Sequence, residues 1–178
     1  MPSPALPSWL ALSAAALLAA CSPTFNWREV PIAESGLVAL LPCKADRANR
    51  ALPLGAESVQ VDMTGCEAGG ATFAIAHAAA NSPVQAEAWL NAWRAATRSQ
   101  LADAQVAEAP ATVQRATAVP APLRLDAQPS QQGAAPVQVL WFAQSQKDGT
   151  VALYQATVLG KPSSPEAAKT FFEGLHLP

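Results

Sequence analysis

Two runs of period-two alternation, at residues 58–64 and 71–78, restrict this chain to folds built on an antiparallel sheet. In the first run Val59, Val61 and Met63 point one way, and Gln60, Asp62 and Thr64 the other. In the second, Phe73, Ile75 and His77 share a face opposite Thr72, Ala74, Ala76 and Ala78. A face of alanines lets a helix or a second sheet approach closely. Gly65, Gly69 and Gly70 bracket Cys66, which predicts a turn between the runs. Residues 36–41 are apolar and stop at Pro42, as a further strand does. Residues 44–50 (KADRANR) read as a charged connection, with a strand starting at 50–54. The clearest hairpin joins residues 137–144 and 150–159 through Lys147, Asp148 and Gly149. Trp141, Phe142, Leu153 and Tyr154 put bulk on both of its faces, which places it centrally in a sheet.

Two helices are marked by their starts. Ser82 is a candidate N-cap, with Pro83 at N1 and Gln85 at N3. Trp89, Leu90, Trp93 and Leu101 then form one helical face, and the helix is predicted to end near Asp103. Ser164 and Pro165 open a second helix, with Ala168, Phe171, Phe172 and Leu175 as its buried stripe. Between them, Pro110, Pro120, Pro122, Pro129 and Pro136 exclude a continuous helix. Edge strands are predicted at 112–119 and 123–126, and an exposed loop at 128–135. The order strands, helix, strands, helix predicts an α+β domain over residues 36–178: an antiparallel β-sheet with two packed helices.

Charge and motifs narrow the function. A net charge of −2 with 13% charged residues lacks the basic stripe of a nucleic-acid binder. GxSxG, a P-loop, GxGxxG and HExxH are all absent, so no cofactor and no metal is expected. Only His77 and His176 are available for imidazole chemistry. Trp89 and Trp93, one helical turn apart, either line a groove for an apolar ligand or belong to the core. Lys44, Arg47 and Arg50 either touch phosphates or an acidic partner, or are simply solvated.

Residues 9–20 form an apolar run too short to span a bilayer, and Cys21 follows it. Leu18-Ala19-Ala20-Cys21 resembles the lipobox of bacterial lipoproteins. The resemblance implies a signal peptide over residues 1–20, cleavage before Cys21, and acyl chains (palmitate among them) on that cysteine. Residues 21–35 then become anchor and tether. Ser22 behind the cysteine implies the outer membrane, with the domain facing the periplasm. With Cys21 assigned to lipid, Cys43 and Cys66 remain as a pair in an oxidising compartment, which predicts a disulfide. The other readings are two free thiols, a catalytic Cys–His pair with His77, or zinc held with His77 and His176. The layout of residues 36–177 is loosely similar to the PsbP-like α/β fold. Residues 42–73 resemble small uncharacterised proteobacterial lipoproteins, a likeness that implies no activity. The expected function is a non-enzymatic binding or accessory module, with the membrane and an envelope protein as partners. The alternatives are a carrier of an apolar ligand near Trp89 and Trp93, and an unrecognised hydrolase or thiol enzyme.

Overall fold

The computed structural model describes residues 23–34 and 36–178. Ten strands and two helices follow one another among them. They are β1 (Arg28–Ile32), β2 (Leu37–Leu41), β3 (Asp46–Leu54), β4 (Glu57–Ala68), β5 (Ala71–Ala80), α1 (Pro83–Gln100), β6 (Ala104–Pro110), β7 (Leu123–Pro129), β8 (Val137–Ser145), β9 (Val151–Gly160), α2 (Ala167–Glu173) and β10 (Leu175–His176). Seven strands make one antiparallel sheet in the order β3-β4-β5-β9-β8-β7-β6; β1, β2 and β10 make a second, in the order β1-β2-β10. The fold is α+β, as the patterning requires.

The large sheet is covered on both faces. On one, Trp89, Leu90 and Trp93 of α1 pack with Val61, Ala76, Ala78, Val139, Trp141 and Leu153. On the other, the small sheet and α2 bring Ile32, Leu37, Leu41, Phe171 and Leu175 against Phe73, Ile75, Phe142 and Tyr154. Alternation along β5, β8 and β9 divides the side chains between these two cores. The bulk predicted for both faces of the hairpin therefore has a place: β9 is the middle strand of the seven. α1 begins as expected, with Ser82 Oγ accepting from Gln85 N at 3.2 Å. Gln85 Oε1 reaches back to Asn81 N at 2.7 Å, one residue before the cap.

Five local expectations are corrected. Gly65 and Cys66 lie inside β4, and the turn is Gly69–Gly70 alone. Glycine is the residue that fits this strand position, because a Cβ there would come within 2.6 Å of Phe73 O and 2.9 Å of Ala74 Cβ. The charged segment 44–50 mostly belongs to β3, which pairs with β4 from Asp46 to Leu54 as a sheet edge. Edge strands accept charge and Pro53, since one side of their backbone is free. The other edge is β6, whose AQVAEAP composition carries little strand signal; residues 112–119 form no strand, and the strand expected at the edge over 123–126 is β7, paired on both sides by β6 and β8. The last helix opens at Ala167 behind Glu166 rather than at Ser164–Pro165, and Leu175 is not in it. The chain leaves α2 at Gly174, whose O accepts from Leu40 N at 3.0 Å, and pairs with β2 as β10. Residues 28–32, expected within a tether, form β1 against β2.

Candidate binding cleft

The register of five strands sets a row of side chains on the small-sheet face. Asn49 of β3 lies opposite Asp62 of β4. Asp62 lies opposite His77 of β5, His77 opposite Tyr154 of β9, and Tyr154 opposite Phe142 of β8. Asn49 Nδ2 donates to Asp62 Oδ1 at 2.6 Å. The other carboxylate oxygen, Oδ2, stands 3.9 Å from His77 Nδ1. That is an ion-pair distance and too long for a hydrogen bond. The His77 ring tilts against Tyr154 at 5.3 Å between centroids, and Tyr154 stacks on Phe142 at 5.0 Å.

Phe142 and Tyr154 lie beneath the small sheet, but the Asp62–His77 end of the row borders an open cleft of about 910 Å³. The β1–β2 turn supplies Ala33 and Glu34 to its wall; the β8–β9 turn supplies Gln146, Lys147, Asp148 and Thr150. Asp148 Oδ1 accepts from Thr150 N at 3.0 Å and from Thr150 Oγ1 at 2.7 Å, which holds its carboxyl below the usual aspartate value and fixes the turn. His77 is 8% exposed, and among the described residues neither ring nitrogen has a hydrogen-bond partner. Burial lowers its pKa, and the Asp62 carboxylate only partly restores it, so the imidazole is neutral at pH 7. An unpaired polar side chain in a core costs about 1–3 kcal/mol, so this one is a liability for folding unless something outside the chain uses it.

The hydroxyl of Thr150 donates to Asp148, and Asp62 stands beyond hydrogen-bond distance of His77. Among the described residues no three His, Cys, Asp or Glu side chains converge as metal ligands. A smaller cavity of about 200 Å³ at the end of α1, lined by Gln100, Leu101, Asp103, Ala104 and Pro129 among others, holds no buried titratable group.

The residues singled out from the sequence fall in separate places. Cys21 lies outside the described residues. Cys43 and Cys66 are joined, with S–S 2.03 Å and Cα–Cα 5.9 Å, tying the end of β2 to β4. No free thiol is left at that pair for catalysis or zinc. Trp89 and Trp93 are 7% and 5% exposed in the α1 core, and Trp89 Nε1 donates to Glu57 Oε1 at 3.1 Å. The edge of Trp89 also borders a depression of about 320 Å³ shared with Glu57, Asp62 and His77. His176 of β10 pairs with Val38 of β2. Arg47 and Arg50 are exposed on β3, and Arg47 Nη2 donates to Pro31 O at 3.0 Å. Glu34, Lys147 and Asp148 have no sequence signature of a site, since turns bearing charge are ordinary; only folding brings them to His77.

Fold and cleft together define a disulfide-stapled α+β sandwich with an acid-rimmed depression at one end. No family model matches the chain, and no curated protein matches it either. No helix among the described residues is long and apolar enough to cross a membrane.

Proposed function

We propose that this chain is a lipid-anchored accessory protein of a bacterial cell envelope, attached through Cys21, which holds a partner at the His77 cleft and catalyses no reaction. The observation that carries the reading is how the three cysteines divide. Cys43 and Cys66 are spent on a disulfide, a bond kept in oxidising compartments, and the remaining cysteine is the one behind Leu18-Ala19-Ala20. More than one acyl chain at about 0.8 kcal/mol per buried methylene gives a stable anchor. By the lipobox resemblance, Ser22 favours the outer membrane, with the domain in the periplasm. The loosely held His77 and the engaged Thr150 hydroxyl favour binding over turnover.

The test is the intact mass of the native product. A chain starting at Cys21 and carrying diacylglyceryl and acyl mass supports the reading. An unmodified chain that still begins at Met1 rejects the anchor and the compartment with it. In-cell cross-linking through the cleft then identifies the partner, and reproducible turnover abolished by one substitution in the cleft would overturn the non-catalytic assignment.

A further inference from the structure

The two edge strands of the large sheet are protected unequally. β3 sets Asp46, Arg47, Arg50 and Pro53 along its edge. Charge and proline of this kind keep an edge from pairing with another chain. β6 carries one charge, Glu108. That charge is already met: Glu108 accepts from Arg98 Nε and, at 2.8 Å, from Arg98 Nη2. From Gln105 to Pro110 the strand is exposed.

Register decides which backbone groups of β6 face outward. Ala111 N donates to Pro122 O at 3.2 Å, one pair beyond the β6–β7 ladder. Hydrogen-bonded pairs recur at every second residue of an antiparallel ladder, so Gln105, Ala107 and Ala109 also turn their N–H and C=O groups to β7. Ala104, Val106, Glu108 and Pro110 turn theirs away. Pro110 has no N–H, and Ala104 N donates to Leu101 O at 2.9 Å. The free outward donors are therefore the N–H groups of Val106 and Glu108, and among the described residues nothing bonds them.

This pattern is self-complementary. In a second β6 laid antiparallel, with a two-fold axis at Ala107, Val106 lies opposite Glu108 of the other copy. The two exchange both backbone bonds, as does the symmetry-related pair. Ala104, whose donor is spent, lies opposite Pro110, which has none. Every free donor on the edge is used, and the two positions without one coincide. Each Glu108 brings its own Arg98, so the like charges beside the axis meet already neutralised.

We infer that β6 is an interface between two copies of this chain, antiparallel and centred on Ala107, which joins their seven-stranded sheets edge to edge. The contact is isologous and the β3 edge is guarded by charge, so association closes at a dimer and does not extend into a filament.

Single-thiol cross-linking of the full chain tests it. With Cys21→Ser, and with Cys43 and Cys66 joined, an introduced cysteine is the one free thiol. Facing residues at the axis have Cα atoms about 4.5 Å apart, within disulfide reach, so Ala107→Cys should form a covalent dimer when oxidised with diamide. Ala109→Cys places its two thiols roughly 14 Å apart along the strands and should stay monomeric on a non-reducing gel. Sedimentation equilibrium of the Cys21→Ser chain should show a concentration-dependent dimer. Ala107→Lys sets like charges face to face and should raise its Kd about tenfold or more. Because residue 107 is exposed and its N–H still serves β7, Tm should not fall. Equal cross-linking at 107 and 109 overturns the register, and a chain still monomeric at about 1 mM overturns the interface. A dimer undiminished by Ala107→Lys is held by another face and also overturns it, as does a different protein captured at residue 107 in place of a second copy. None of these failures touches the anchored-module reading, which stands or falls on the mass of the Cys21 product.

Discussion

Asp62 and His77 face each other across adjacent strands, with Oδ2 3.9 Å from Nδ1, and the acid is open to solvent while the imidazole is not. Burial therefore outweighs the neighbouring charge, and the folded-state pKa of His77 lies below its ordinary value of 6.5. The unfolded chain then binds the proton more readily than the folded one. Protonation of His77 leaves stability unchanged well above pH 6.5 and lowers it as pH falls from there towards the folded-state pKa. Tm should decline over that window and decline less in His77→Leu. An NMR titration of the His77 ring checks the cause directly: a midpoint at or above 6.5 contradicts it.

The Cys43–Cys66 bond closes a loop with a sequence separation of 23. Loop closure of that length is worth about 3 kcal/mol in the chain-entropy account. Replacing both cysteines by Ser should lower the unfolding free energy in urea by about that amount. A loss near zero would mean that the β2–β3 connection is held by packing alone.

At Gly65 the β4–β5 pair is close, and the missing side chain makes room for Phe73 O and Ala74 Cβ. Gly65→Ala forces backbone apart in the middle of a sheet and should cost about 1–3 kcal/mol. Equilibrium denaturation reads the loss, and hydrogen exchange should show it concentrated in β4 and β5.

Ser82 caps α1 through Gln85 N. Ser82→Ala should destabilise the protein by about 1 kcal/mol, whereas Ser82→Asp should be close to neutral because the carboxylate accepts the same hydrogen bond. Thermal melts of the two variants compare them; equal loss in both would show that the cap bond is not what matters.

Residue patterning along the chain made several elements legible. The alternation at 58–64 and 71–78, the hairpin around Lys147-Asp148-Gly149 and the start of α1 are all local signals, because side-chain direction and capping depend on near neighbours. The Asp62–His77 pairing was legible too, given the right turn. With Gly69–Gly70 as the whole connection, six residues back from Ala68 is Asp62 and six forward from Ala71 is His77. Placing the turn around Cys66 hid that pairing, because Gly65 looks like a turn residue until the close approach of β5 explains it.

What the sequence determined by itself was the α+β class and which faces of the central strands are apolar. These follow from periodicity and composition, whereas the Cys43–Cys66 pairing was expected only through the lipobox resemblance at Cys21. Tertiary structure alone decided that a charged stretch became the edge strand β3, that Leu175 left the helix for β10, and that Glu34, His77 and Asp148 border one cleft. Such outcomes depend on which backbone edges remain unpaired and which turns meet once the sheets stack. Those are relations between residues distant in the chain, and no local pattern records them.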